Sequence, residues 1–474
     1  MPSRFLLAAL LGLALCPAAS AARPLLTGFL DPGASATQRP DLMLSADDAS
    51  ARVSAAGASL VRLYLYWKRV ATAEPTDPAD PADPAYDWSI VDDQVAAAAA
   101  HGLTPMLDFR SAPLWAQAPG GDARGTLDPD AGSFAAFAAA AAERYKGLVR
   151  YWEIWNEPNS PAFLRPQRDA EGRSVAPRLY RQLVNAAARS LHETDPTNVV
   201  VVGETAPRAG ASGHSPLEFL RKLLCLSSGP EPEPVCSATV EADVFSHHPY
   251  SFGGPSRRAL GADDVFLADL SKWRRLVRAA VRAGHVVDHA GLPKTHVPLW
   301  MSELSWDTSP PDPKGVPSRL HARWTAEALY LSWRAGASVL IWGQLRDYPL
   351  NADPLWGYYQ SGFYTYDDRR KRSLAAFRFP FVAYARGGQI SVWGRLPGGA
   401  SGTVVVERRT DEGWRRVQTV EPGSTGIFAD HWSSPRSRGL LRARAGADVS
   451  VPFSLRRPAD LFVRPFGCGG VVPC

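Results

Sequence analysis

The chain has 474 residues, 45% of them apolar, and a formal net charge of +5. That length accommodates two or three domains and a sizeable core. The charge is too weak and too dispersed to act as a nucleic-acid footprint or to hold the chain on an anionic membrane surface.

Residues 1–21 read as a signal peptide. Arg4 supplies the positive start, Phe5–Cys16 is an apolar run too short to span a bilayer, and Ala19-Ser20-Ala21 fits the small-x-small cleavage rule. A lipoprotein anchor at Cys16 is the alternative, disfavoured by the bulky Leu15 before it. No later run is long and apolar enough for a membrane span, so an exported, soluble chain is expected. Cys225, Cys236, Cys468 and Cys474 remain after the signal. Of their three possible pairings, Cys225–Cys236 with Cys468–Cys474 closes two short loops and is the expected one. A metal site is the alternative. The spacings are not C-x-x-C and no His is adjacent in sequence, so no metal is expected.

Downstream, apolar β-rich runs alternate with Ala/Leu/Arg-rich stretches. Strands are expected at Leu25–Leu30, Leu60–Tyr66, Leu103–Phe109, Val149–Trp155, Val199–Gly203, Asp243–His247, Pro298–Glu303 and Ser338–Trp342. Helical patterns fall at Val91–Ala100, Gly132–Tyr145, Leu179–Leu191, Leu217–Leu224, Leu270–Arg282 and Leu320–Ala335. Continuous apolar strands separated by helices imply a parallel sheet covered by helices. Eight such units imply a (β/α)8 TIM barrel over residues 22–385. A doubly wound open sheet is the competing topology, but no G-x-G-x-x-G follows a strand. The Pro/Asp run Thr72–Ala85 reads as a solvated loop after the second strand, placed so that it could border a cleft.

After Leu374–Ala385 the alternation takes period two, in runs beginning near Gln389, Gly402, Trp414, Gly426 and Leu440. Short strands with Gly, Pro, Ser and Asp turns imply a small all-β sandwich over 386–457, then a disulfide-stapled tail over 458–474. The sandwich is expected to pack on the barrel. Glycan binding through Trp393 or Trp414 is the alternative.

In a parallel barrel the reactive groups sit at the C-terminal ends of strands. Strand four ends in Trp155-Asn156-Glu157-Pro158-Asn159 and strand seven in Trp300-Met301-Ser302-Glu303. Two carboxyl groups sharing a pocket suit glycoside hydrolysis: one protonates the leaving oxygen, the other attacks the anomeric carbon or activates water. The acid needs a raised pKa, which an apolar, aromatic pocket supplies. Trp152 and Trp155 adjoin it in sequence, although strand alternation turns only one side of that run inward. The chain holds 15 Trp and 14 Tyr, enough for core packing and for stacking on sugar rings. Arg62 sits inside an apolar strand, where an unpaired charge is costly. Asp108 and Trp115 after strand three, Glu204 at the end of strand five, and Trp306 with Asp307 beyond strand seven are further candidates for substrate contact. Glu204 could instead pair with Arg208, Trp306 and Asp307 could shape the loop Pro310–Pro317, and Arg346-Asp347 could be a loop-tying ion pair. His247 points away from His248 on an extended strand and is left out of the set.

The wording Trp152-Glu-Ile-Trp-Asn-Glu-Pro-Asn159 on the fourth strand, with a strand-ending Glu303 on the seventh, resembles glycoside hydrolase clan A. It is most similar to family 39 and family 5-like bacterial proteins, over about residues 25–380. The resemblance implies a retaining glycosidase with Glu157 as general acid/base and Glu303 as nucleophile. It implies Arg62 beside the nucleophile, Asn156 at the sugar 2-hydroxyl, and His248 and Tyr250 as the His-x-Tyr of strand six, with Tyr250 hydrogen-bonding the nucleophile. It implies Trp342 as the floor of the sugar site, and a small residue where this chain has Glu204. The expected partner is an oligo- or polysaccharide outside the cell, with no nucleic acid, membrane or cofactor. A non-catalytic carbohydrate-binding or wall-associated barrel is a competing reading, disfavoured by the presence of both carboxylates. A transglycosylase would use the same residues. Neither G-x-S-x-G nor His-Glu-x-x-His is present to suggest a serine or metal hydrolase.

Overall fold

The computed structural model describes residues 23–30, 44–210, 212–349, 359–399, 402–458 and 461–462. The expected signal peptide and the Cys468–Cys474 pair lie outside the described residues.

Eight parallel strands close into a barrel: β1 (Leu26–Leu30), β2 (Leu60–Tyr66), β3 (Thr104–Arg110), β4 (Tyr151–Ile154), β5 (Val199–Thr205), β6 (Val244–His247), β7 (Leu299–Leu304) and β8 (Ala337–Trp342). Neighbours in the sheet are neighbours in sequence, and β8 returns to pair with β1. The covering helices are α1 (Ala46–Ala55), α2 (Ser89–Ala100), α3 (Ala131–Arg144), α4 (Ala176–Thr194), α5 (Pro216–Leu223), α6 (Leu270–Arg282), α7 (Ser318–Ala335) and α8 (Arg372–Arg378). All eight expected strands form. Helix α1 falls outside the stretches the sequence pattern marks, because it buries only Ala49, Ser50 and Val53 and so carries almost no apolar stripe. Its start is set by Ser45, whose hydroxyl accepts the Asp48 N–H at 3.1 Å.

Side chains alternate across the barrel wall. Leu30, Leu60, Met106, Val201, Val244, Trp300, Val339 and Ile341 form an apolar plug inside the barrel. Their outward neighbours, such as Leu63, Leu107, Phe109, Trp152, Phe245 and Leu340, join the larger layer between strands and helices. The plug closes the barrel's lower half, so polar groups gather only above it, toward the C-terminal ends of the strands.

Beyond the barrel, β9 (Phe381–Arg386), β10 (Gln389–Arg395) and β13 (Ile427–Ser433) form one antiparallel sheet. A second sheet contains β11 (Val404–Thr410), β12 (Gly413–Val420) and β14 (Leu440–Ala445), extended by two-residue strands at Asp448–Val449 and Phe453–Ser454. Strand β9 begins before residue 386, so the first sheet draws on the chain ahead of the period-two runs. Trp393 is buried and packs on Tyr330 and Trp333 of α7, with ring centroids 5.5 and 5.7 Å away. Arg395 Nη1 donates to Leu25 O at 2.9 Å. These contacts tie the sheet to the barrel and take Trp393 out of reach of a glycan.

Cys225 and Cys236 are bonded, closing a loop of sequence separation 11. In the chain-entropy view a loop of that size adds roughly 3 kcal/mol of stability. The double change Cys225→Ser/Cys236→Ser should therefore lower Tm by several degrees, read by calorimetry.

Candidate active site

Strand β4 runs into a strained exit. Trp155 has φ 71° and Glu157 φ 40°, left-handed values that non-glycine residues rarely adopt. The turn breaks the alternation and sends the Trp155 indole outward, where Nε1 donates to Phe163 O at 2.8 Å and the ring meets Phe134 of α3. Trp152 also faces outward, stacked on Phe109. Neither tryptophan lines the pocket. The same turn brings Asn156 and Glu157 over the barrel mouth.

Glu157 and Glu303 meet there across one imidazole. His248 Nδ1 lies 3.0 Å from Glu157 Oε1 and 3.9 Å from Glu303 Oε2. Those two oxygens are therefore separated by at most 3.0 plus 3.9 Å. That bound covers the roughly 5–5.5 Å of retaining glycosidases and leaves out most of the roughly 6.5–9.5 Å range of inverting ones. Burial pushes the Glu157 carboxyl up to about 7, against the pull of Arg62 and Arg110. Burial also drives His248 down to about 3, so its ring is neutral at physiological pH.

Glu303 is held from two sides. Tyr250 OH donates to Oε1 at 2.7 Å, and Arg62 Nη1 donates to Oε2 at 3.0 Å. Burial and the nearby Glu303 charge raise Tyr250 well above its ordinary pKa, which keeps it a donor. Hydrogen bonds to charged groups are worth about 1.5–3 kcal/mol, so Tyr250→Phe should lower kcat by about ten- to a hundredfold. Initial-rate kinetics on the folded variant test this.

Arg62 is the hub of the floor. It pairs with Glu153 through Nε, with Asp108 Oδ2 at 3.0 Å through Nη2, and with Glu303. Nη2 also donates to Asn156 Oδ1 at 3.3 Å. Burial opposes its charge, but Asp108, Glu153 and Glu303 outweigh that and hold it above its ordinary pKa. Arg110 Nη2 donates to the same Asn156 oxygen at 2.8 Å and pairs with Asp108. With its oxygen committed to two guanidiniums, Asn156 is left with its amide N–H groups for a ligand.

Glu157, Glu303, Arg62, Asn156, His248 and Tyr250 are thus brought together. Asp108 lies beneath them, wholly buried between the two arginines, and supports the site without lining a subsite. The remaining candidates go elsewhere. Trp115 donates to Ala71 O at 3.2 Å and packs edge-on against Trp67, because its short helical turn folds back on the α3 side of the barrel. Trp306 is buried, its Nε1 bonded to Gly253 O at 2.9 Å. Trp342 faces outward like Leu340, packed on Phe363 at 4.9 Å and bonded to Ser361 O at 2.9 Å, so it is no sugar floor. Glu204 is fully buried and reaches neither substrate nor Arg208, whose guanidinium instead stacks on Phe252 at 4.8 Å. Asp307 accepts the Gln360 N–H at 2.7 Å and is buried as well. Asp347 pairs with Lys371 at 2.7 Å, and Arg346 with Asp368 at 3.2 Å, in place of the expected Arg346–Asp347 pair.

Sequence reasoning missed Glu153, Arg110 and the tyrosines Tyr64, Tyr66 and Tyr359. Glu153 shared the signal that singled out Arg62: a charge at an inward position of an apolar strand needs a buried partner. Tyr64 and Tyr359 are half-buried aromatics near Glu303, and Tyr66, also half-buried, packs edge-on against Tyr64 with ring centroids 5.7 Å apart. Tyr64 and Tyr359 are each raised by burial and by the Glu303 charge, and the Arg110 guanidinium stacks 3.6 Å from the Tyr64 ring centre.

The chain matches the family model described as cellulase (glycosyl hydrolase family 5) over residues 32–280, more than half its length. No curated protein matches the sequence. Among solved structures, a family 39 glycoside hydrolase from the gut symbiont Bacteroides cellulosilyticus WH2 is similar at TM-score 0.53 and 15% identity, covering 87% of this chain and 79% of that one. A GH39 β-xylosidase from Caulobacter crescentus is similar at TM-score 0.49 and 19% identity, covering 82% and 84%. At such identities the first likeness shows the shared barrel fold and nothing finer. The family match and the barrel agree: the chain belongs to the cellulase family of glycosyl hydrolases, family 5, within clan A, and is a glycosidase.

Proposed function

We propose that this protein is an exported, retaining glycosidase that cleaves O-glycosidic bonds of an oligo- or polysaccharide by double displacement. The observation that carries the reading is the pairing of Glu157 and Glu303 across His248 Nδ1, with Glu157 raised to about 7 by burial. Glu303 attacks the anomeric carbon while Glu157 gives its proton to the leaving oxygen. The glycosyl ester that forms removes the negative charge of Glu303, which favours ionisation of Glu157. Ionised Glu157 then takes a proton from water as the water attacks the same carbon, releasing the sugar with net retention. Asn156 offers its amide to a ring hydroxyl next to the reacting carbon. The Cys225–Cys236 disulfide supports an oxidising destination outside the cell.

A panel of aryl β-xylosides, β-glucosides, β-galactosides and arabinosides, together with a soluble β-1,4-glucan, tests the class and narrows the sugar. At least one member should be hydrolysed by the wild type, with Glu157→Ala and Glu303→Ala both impaired on it. Full activity of Glu303→Ala on every cleaved substrate would require another nucleophile.

A further inference from the structure

Four carboxyl groups and two guanidiniums are packed beneath and beside the sugar site. Arg62 touches Glu153, Asp108 and Glu303, and Arg110 touches Asp108. Glu204 is the fourth carboxyl, wholly buried, and among the described residues it has no ion-pair partner. Its backbone is strained, with φ 37°, and this turns the side chain into the barrel.

Ser246 joins Glu204 to Glu153. Its Oγ lies 3.2 Å from Glu153 Oε1 and 3.3 Å from Glu204 Oε1, and it accepts the Glu204 N–H at 3.3 Å. A serine hydroxyl has one proton and two acceptor sites. It can donate to only one of the two carboxyls. The other contact is a hydrogen bond only if that carboxyl carries a proton and donates to Oγ. Burial raises both carboxyls, Glu153 to about 7 and Glu204 well above its usual range, but Glu153 accepts the charged Arg62 Nε–H on its other oxygen while Glu204 has no such partner among the described residues, so Glu153 is the anion of the two. Glu204 is then the donor, and every site on Ser246 Oγ is filled.

We infer that Glu204 is an un-ionised carboxylic acid which, through Ser246, directs a hydrogen bond onto anionic Glu153 and so fixes Arg62 against the nucleophile. It is a positioning residue, and the inference rests on the assignment of Glu303 as nucleophile. With Glu157 un-ionised, the guanidiniums of Arg62 and Arg110 offset Asp108 and Glu153, leaving one net negative charge, that of Glu303. An ionised Glu204 would add a second uncompensated charge at a position that is itself fully buried. Burial and the neighbouring charges of Glu153 and Asp108 push the Glu204 carboxyl well above its usual range. Tyr180 also faces Glu204, but its hydroxyl accepts the Gly203 N–H at 2.9 Å and donates to Ile154 O at 2.8 Å, so it adds no charge.

Infrared spectroscopy of protein labelled with 13C at the glutamate carboxyl tests this directly. At a pH of about 9, above the titration of Glu157, wild type should retain an un-ionised carboxyl C=O band that Glu204→Gln abolishes. Absence of an un-ionised glutamate band in the wild type would overturn the inference without need of any variant. In kinetics, Glu204→Gln keeps an N–H donor toward Ser246 and should stay within about threefold of wild-type kcat. Glu204→Ala should lose about tenfold in kcat with little change in KM, because it leaves Ser246 and Glu153 unsupported. A fall in Glu204→Gln as deep as in Glu204→Ala would count against a protonated Glu204. If the wild type hydrolyses no glycoside, the glycosidase reading fails while the infrared band still decides the state of Glu204.

Discussion

Glu157→Ala should lower kcat/KM on glycosides with poor leaving groups by about 10²–10⁴-fold, the usual range for a lost general acid. Aryl glycosides whose leaving group departs without a proton should lose far less in the first step. Their turnover then stalls at hydrolysis of the glycosyl-enzyme, which also needs Glu157 as base. Added azide, a nucleophile that needs no base, should restore turnover and yield a glycosyl azide of retained configuration. The pH dependence has a defined sign. Glu157 acts as an acid only while protonated, and burial raises it to about 7. Wild-type kcat/KM should therefore fall as pH rises through about 7, and that limb should vanish in Glu157→Ala with an activated substrate. A profile flat from pH 6 to 9 in the wild type would remove Glu157 from the acid role.

Glu303→Ala should lose still more, with all substrates, because no leaving group compensates for a missing nucleophile. The expected fall is about 10⁴-fold or greater, similar to the loss of a nucleophile in other covalent enzymes. The small cavity left by the side chain admits azide, which should attack the opposite face and give an inverted glycosyl azide. Opposite stereochemistry from the two alanine variants distinguishes the two carboxyl roles. Removing Glu303 also takes away the acceptor of Tyr250 and one of three carboxylates on Arg62, so Glu303→Gln with its preserved shape is the needed control for folding. It should be as inactive as Glu303→Ala.

The barrel was legible because its strands, buried on both faces, are written as continuous apolar runs of the right length, separated by helical stretches. Glu157 and Glu303 were legible because each ends such a run. Side-chain direction at the strand ends was less so. Trp342 follows the inward Ile341 by one residue and therefore faces out, a parity the sequence does contain. Trp155 faces out for another reason: its left-handed backbone breaks the parity that would have pointed it inward. No sequence pattern announces such a turn in a non-glycine residue. Glu204 shows a third limit. Its position at a strand end was plain, but Ser246 and Glu153, the groups that decide its chemistry, come from other strands and are joined only by closure of the barrel.

In the proposed mechanism Glu303 becomes covalently attached to the sugar while Glu157 does not. This is tested by incubating wild type with the 2-deoxy-2-fluoro glycoside, activated at the anomeric carbon, of whichever sugar the panel shows to be cleaved, then mapping the modified peptide by mass spectrometry. One fluoroglycosyl adduct per chain is expected, on Glu303. An adduct on Glu157, Glu204 or any other residue would contradict the mechanism.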